Sequence, residues 1–421
     1  MAASAAFCEP FDQSSVTATT LGNGLKVIVL EDHTASLVAL EVWVKAGALY
    51  ETKANNGVSH FIEHVLFKGT ARRSEGQADM EIESLGASLD ASTTKDGLRI
   101  STVVASKYFD TALDVVTDVT MRARLDPGQI ERERPIILDE ISRRDSDPLQ
   151  TVAGLVAKAS YPNHPYGWPI QGSVANVTAM TAEQIRGFYD TYFVPNNMAV
   201  VIVGDISAAK ATEAVRRAFT EFKKKDVPAL KTAPDPPPTE IRKESATRQT
   251  KVLYCALSFP APGTGDMSDV YAMDVMLERL AVGYKSWMET TLMPKKEVQA
   301  TSGEFTTHRD PGNVMFMAGV DPGAVEQVRD AVLAKLKEVT TTPMTDAEIA
   351  TAKRALEGSY VFDSETFSGR ARLLGFYEVL GDYRLALTYL DNTRKVTPDQ
   401  IRKMAAKYIN TDAYVIVEVG P

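Results

Sequence analysis

Hydrophobic and polar residues alternate over Leu25–Glu31 and again over Leu37–Gly47, which predicts two strands. The pattern then changes. Val58, Phe61, Val65, Leu66 and Phe67 give residues 56–68 a helical apolar face, with Asn55 or Asn56 available as the cap. A second helix is expected over 75–85, followed by strands over 87–93 and 98–105. Helices follow over 107–123 and 127–144, the latter with Asp126 as a cap ahead of Pro127. Strands cluster beside helices without a steady βαβ alternation. That predicts an α+β fold with helices on an antiparallel-rich sheet.

The regular pattern lapses near 223–250, where Pro228, Pro234, Pro236, Pro237 and Pro238 lie among many charges. Proline removes backbone donors and stiffens the chain, so this stretch reads as an extended linker. The expected division is a first domain at 15–225, a linker at 226–248 and a second domain at 249–421. The two halves read as copies. Thr181–Arg186 (TAEQIR) recurs as Thr397–Arg402 (TPDQIR), each followed at the same distance by a tyrosine, Tyr192 or Tyr408, and then by a β-rich run. LDPGQIERERPIILDEI, from Leu125, aligns with MTDAEIATAKRALEGSY, from Met344, at nearly the same offset. This alignment sets Glu133 against Ala352 and Glu140 against Ser359.

Composition narrows the chemistry. A chain of 421 residues with 44% hydrophobic content can bury a core in each half. The net charge of -9 disfavours nucleic acid as a partner. No apolar run is long enough to span a membrane. Two cysteines, Cys8 and Cys255, allow neither a disulfide framework nor a cysteine zinc site, so a metal would need His, Asp and Glu. The opening MAASAAF is not an intact signal peptide. Its Ala-Ser-Ala stretch suits the remnant of a cleavage site as well as a disordered start, and a bacterial periplasmic location is favoured over cytoplasm or mitochondrial matrix.

His60-Phe-Ile-Glu-His64 is the central chemical signal. At i and i+4 on a helix, two imidazoles project one turn apart on one face, which suits two ligands of one zinc ion. Glu63 precedes the second histidine, where a general base could reach a water. The five-residue pattern alone arises by chance as readily, but its apolar neighbours imply a buried helix, where charge needs a partner or a metal. A catalytic zinc takes three protein ligands. The charged helix after Pro127 offers Glu131, Glu133, Asp139 and Glu140, with Glu133 and Glu140 on one face. On these residues alone, a solvated acidic face explains that helix better. His33 and His164 read as surface or turn histidines, and the Phe362–Phe376 region, with Arg370 and Arg372, as helix packing with solvated charges.

The blocks NGLKVIVLED, VWVKAGALYE, NNGVSHFIEHVLFKGTARRS, ERERPIILDEI, HPYGWPIQG and FVPNNMAVVIVGDI run in order through the first half. Together they resemble the pitrilysin/insulysin family of zinc peptidases, which includes the mitochondrial processing peptidase. The resemblance implies a pair of similar α+β domains forming half of a clamshell. It implies one zinc per chain on His60, His64 and Glu140, the last about 76 residues beyond the second histidine. It implies Glu63 as general base, Glu133 in support, and the strand Asp90, Ala91, Ser92, Thr93 as the edge on which a peptide substrate pairs. Active relatives also carry an Arg and, seven residues on, a Tyr in a segment resembling LREKxGLAY. Here the matching segment is Leu292–Ala300, with Met293 and Ala300 at those places. The expectation is a homologous second subunit that supplies the Arg/Tyr pair. A homodimer, or a non-catalytic scaffolding subunit of the same fold, are the alternatives.

Overall fold

The structure is a computed structural model and describes Phe11 and residues 13–421; the reading of the opening residues as a cleavage-site remnant lies outside that range. The first half contributes strands β1 (Val16–Thr20), β2 (Lys26–Glu31), β3 (Leu37–Val44), β4 (Leu89–Thr93), β5 (Leu98–Ala105) and β6 (Met198–Gly204). Its helices are α1 (Val58–Leu66), α2 (Gln77–Ser84), α3 (Phe109–Met121), α4 (Pro127–Ser146), α5 (Pro148–Ser160), α6 (Val174–Ala179), α7 (Ala182–Tyr192) and α8 (Ala208–Ala218). The second half contributes β7 (Arg242–Thr247), β8 (Leu253–Ala261), β9 (Val298–Phe305), β10 (Gly312–Val320) and β11 (Val415–Gly420). Its helices are α9 (Met267–Leu280), α10 (Trp287–Thr291), α11 (Val325–Thr341), α12 (Asp346–Asp363), α13 (Phe367–Leu380), α14 (Arg384–Lys395) and α15 (Pro398–Tyr408).

One sheet has the order β1-β2-β6-β3-β5-β4 and the other β7-β11-β8-β10-β9. Without β1 the two orders correspond strand for strand. Each has a single parallel pair, β2 with β6 and β7 with β11, and antiparallel pairing elsewhere. The fold is α+β and antiparallel-rich. The duplication seen in two short sequence matches is therefore a duplication of topology. Thr181 and Thr397 both form capping boxes, on α7 and α15.

Burial follows the period-two pattern. On β5, Leu98, Ile100 and Val104 are buried while Arg99, Ser101 and Val103 are less so. The central β6 is buried along its whole length, as expected for a strand covered on both faces. Ten residues of the proline-rich stretch, 231–240, form no helix or strand, but Arg242 already enters β7, inside the span expected for the linker. Its parallel ladder with β11 recruits the end of the stretch into the sheet.

By packing, the chain forms two compact units that interleave along the sequence. One unit comprises Met1–Leu138, Ile170–Leu230 and Ser359–Leu387; the other comprises Asp139–Pro169, Lys231–Gly358 and Thr388–Pro421. The repeats have exchanged a helix. Val152, Val156 and Ala159 of α5 share a core with Ala256, Val415, Val417 and Val419 of the second sheet. In return α13 packs on β3 and β6 of the first sheet. Gly375 of α13 meets the indole of Trp43 so closely that no side chain fits. Trp43 in turn donates to the buried Glu41 carboxylate at 2.7 Å.

This contact predicts opposite outcomes for two helical glycines. Gly375→Ala forces Trp43 to move and should cost about 1–3 kcal/mol. Gly358→Ala, with open space around its Cβ position in α12, should be neutral or stabilise by up to about 1 kcal/mol. Urea unfolding of both variants decides the matter; equal stability would show that α13 does not seat on the sheet through Gly375.

Candidate metal centre

Helix α1 carries the histidine pair, and its start is built from backbone contacts. Its N-cap is Gly57 at φ 98, a left-handed conformation that disfavours a side chain. A Cβ there would stand 2.8 Å from the backbone of Gln171 and Gly172; one on Gly172, at φ 80, would stand 2.6 Å from the Asn56 carbonyl. Two glycines thus let the HPYGWPIQG loop lie directly on the helix start.

The expected asparagine cap is not formed. Asn55 Oδ1 accepts from the backbone N–H and hydroxyl of Thr52, at 2.6 and 2.7 Å. The cap is Glu51, whose fully buried carboxylate accepts from the N–H groups of Gly57 and Ser59, each at 2.9 Å, and from Asn56 Nδ2 at 2.8 Å. A buried helix terminus has orphan donors and a positive end, and a carboxylate answers both more strongly than an amide oxygen. Burial pushes the Glu51 carboxyl up, and these donors act against that rise.

On the face so positioned, the His60 and His64 rings lie 4.7 Å apart between centroids, at 61°. Glu140 of α4 joins them: one ligand atom from each of the three residues lies within 4.8 Å of the others. Among the described residues this is the single group of three or more metal-capable side chains so arranged. The boundary between the compact units falls inside α4, just before Asp139, but the helix is continuous through it.

Glu133, two turns before Glu140, places Oε2 3.4 Å from His64 Nδ1, while its Oε1 pairs with Lys68 at 2.9 Å. A donor hydrogen on Nδ1, inferred from that neighbour, would make Nε2 the ligand nitrogen. Arg134 sets α4 against α1. Its guanidinium lies over the Phe61 ring at 5.4 Å and donates to the carbonyl oxygens of Val177 and Met180. Glu63 accepts from Thr93 Oγ1 at 2.5 Å, so β4 touches the expected base directly.

The sequence-predicted residues His60, His64, Glu140, Glu133, Glu63 and Thr93 therefore gather in one place. Asp90, Ala91 and Ser92 lie on β4, the edge strand of the sheet. Glu51, Lys68 and Arg134 were missed, because a lone acid or base outside a motif has no sequence signature for its partner. His164 is a turn residue, capping the 3-10 turn Pro165–Gly167, but not a surface one: it is 3% exposed, with Nε2 3.0 Å from Asp310 and Nδ1 accepting from the Tyr166 N–H. Arg370 is not solvated either, since it pairs with Asp32 at 2.7 Å.

Two imidazoles and a carboxylate, backed by a carboxylate behind one histidine, fit a zinc site that leaves a coordination place open. The family profile described as insulinase (peptidase family M16) matches residues 26–173, and the profile described as peptidase M16 inactive domain matches 179–356. The chain belongs to the insulinase family of peptidases. An uncharacterized zinc protease of Streptomyces coelicolor is 28% identical over 97% of this chain and 90% of its own length. The mitochondrial-processing peptidase subunit beta of Lentinula edodes is 24% identical over 98% and 90%. The crystal structure of a protease from Helicobacter pylori matches with a TM-score of 0.90 at 23% identity, over 96% of this chain and 99% of that one, and shares the fold.

In this insulinase-family chain the second repeat offers no counterpart ligands. α12 corresponds to α4 in the repeat, and there Ala352 and Ser359 stand where Glu133 and Glu140 stand in the first. His308 lies against the Tyr166 ring at 4.6 Å.

Elemental analysis should find one zinc per chain, with substantial loss in His64→Ala and in Glu140→Gln. Glu133→Gln should bind zinc about 10–100-fold more weakly. Full zinc retention in both ligand variants would exclude this site.

Proposed function

We propose that this chain is the metal-bearing subunit of a zinc metalloendopeptidase that cleaves unfolded or short peptides. The observation behind this reading is the meeting of His60, His64 and Glu140 beside a glutamate held from the edge strand. When bound, zinc supplies Lewis acidity, acidifying water and polarising a carbonyl. Glu63 takes the proton of the attacking water and delivers it to the leaving amine. Thr93 keeps one Glu63 oxygen in place, and Glu133 with Lys68 orients His64. Among the described residues β4 pairs only with β5, so its outer edge can take an extended peptide as an added strand, beside the base that Thr93 holds.

A second subunit completes the reading. Met293 and the exposed Ala300 on β9 stand where active relatives place an Arg/Tyr pair, and neither side chain donates a hydrogen bond. The Lentinula relative is itself named a subunit. A homologous partner that carries those donors would supply the oxyanion contact. The rival is a non-catalytic scaffolding subunit, which would not require the metal ligands and base to remain together.

Glu63→Gln should retain zinc and lose about 100-fold or more of peptide cleavage, because the amide cannot take a proton from water. Undiminished cleavage by the zinc-loaded variant would remove Glu63 from this role.

The two-subunit reading is tested by assaying the zinc-loaded chain alone and with a homologous partner bearing the Arg/Tyr pair. The partner should raise kcat/KM about 100-fold or more. Full activity alone, unchanged by the partner, would overturn the two-subunit reading; no cleavage under either condition would favour the scaffold.

A further inference from the structure

The second sheet comes apart at one end. β8 pairs with β10 along its whole length, from Leu253 to Ala261, but with β11 only as far as Ser258, opposite Val415. Pro260 lies two residues further and has no N–H to give a third strand. The chain ahead of β11 turns instead, with the Ala413 N–H donating to the Asn410 carbonyl at 3.2 Å. The gap is a cavity of about 470 Å³. One wall is the proline-rich stretch at 234–238, four of whose five residues are proline. Asp235 pins that wall by accepting from the Asn163 and His164 N–H groups at 3.0 and 2.8 Å. Tyr161, Phe259 and Tyr408 also line the cavity, and every lining residue belongs to the second compact unit.

Polar groups meet this cavity in a chain. Tyr161 donates its hydroxyl to Asn313 Oδ1 at 2.9 Å, and Asn313 Nδ2 donates to Ser258 Oγ at 2.8 Å. Ser258, 1% exposed, shares a hydrogen with Ser160 across 3.3 Å. All four residues line the cavity. Whichever serine donates to the other, one hydroxyl hydrogen of the pair is left without a partner among the described residues. An unmet donor in apolar surroundings is costly. The charges, by contrast, are already answered. Lys407 lies 2.6 and 2.7 Å from Asp266 and Asp269, His164 lies 3.0 Å from Asp310, and Asp235 is taken up by Asn163 and the His164 N–H.

We propose that this cavity binds a small, uncharged ring compound that carries a carbonyl or ether oxygen. Ligand cavities of about 300–1,000 Å³ combine apolar and aromatic walls with a few placed polar groups, and this one has that make-up. The prolines and aromatic residues give apolar surface to a ring, and the ligand oxygen accepts the hydroxyl hydrogen left over by the serine pair. An ionised ligand would lose its water and find each charge of the lining already paired. Water alone fits the cavity less well. A buried water needs about two to four polar partners, and the prolines of the wall offer no N–H. A bound ring would touch both the proline wall and β8, closing the gap that the sheet leaves. None of the metal ligands lines the cavity, so its ligand binds whether or not the chain is a peptidase.

The reporter for the test is benzophenone, an uncharged diaryl ketone that photolabels what it touches, added to the zinc-loaded full-length chain. Labelling should saturate, and mass spectrometry should place it on residues 234–238 and Phe259. Three naphthalenes then compete with it: 2-acetylnaphthalene, which has the acceptor oxygen, 2-isopropylnaphthalene, which lacks it, and the anion 2-naphthoate. At neutral pH 2-naphthoate should compete least. The decisive quantity is the potency of 2-acetylnaphthalene relative to 2-isopropylnaphthalene. In Ser160→Ala/Ser258→Ala that ratio should fall about two- to tenfold, the worth of one neutral hydrogen bond. 2-Isopropylnaphthalene needs no donor and should compete equally in both proteins, which makes it the control for an intact cavity. The labelling map and the 2-naphthoate comparison are read on the unmodified chain and do not depend on the variant. Labelling that does not saturate or falls elsewhere, 2-naphthoate competing as well as the ketone, or a ratio unchanged in the variant would each overturn the site.

Discussion

Burying a short helix with two imidazoles on it is the constraint from which the rest of the first unit follows. Helix α1 is largely apolar, and its N-terminal donors are taken out of water together with His60. Buried donors cost about 1–3 kcal/mol each when unmet. The Glu51 carboxylate meets two of them, and the Gly57–Gly172 contact closes the space around them. The cap, the glycine pair and the histidines form one construction: shifting the helix by one residue would break the cap and turn both rings away from Glu140.

The support on the α4 side is of the same kind. Glu133 reaches both His64 and Lys68, and Arg134 bridges Phe61 to two carbonyl groups beyond α4. Residues of one helix therefore make different contacts: Glu133 reaches His64 and Lys68, Arg134 holds the helix against α1, and Glu140 meets the two histidines. Pro135 sits among them inside the helix. Thr93 ties the site to the sheet edge, since its hydroxyl donates to Glu63 from β4.

Duplication supplied two sheets of one topology, and divergence separated their uses. The first repeat carries His60, His64 and Glu140. The second has alanine and serine where the two α4 glutamates stand, and it contributes α13 to the first sheet instead. That exchange of helices makes each compact unit depend on both halves of the chain.

Much of this was legible in the sequence, for a physical reason. Periodicity reports burial within one element, so strands β2, β3, β4 and β5 and helices α1 and α4 could be read locally. The i, i+4 histidines needed only helical geometry. Glu140 and Glu133 were not decided by spacing on one helix, since a solvated acidic face explained them as well; the family resemblance singled them out. What no local pattern contains is the identity of partners distant along the chain. The Glu51 cap lies outside its helix, α5 and α13 cross to the other repeat's sheet, His164 is buried against Asp310, and Thr93 meets Glu63. The sequence by itself determined which elements form and that two histidines share one helix face. The tertiary structure decided which of them meet, because burial satisfies a polar group with whatever partner the packing brings within reach.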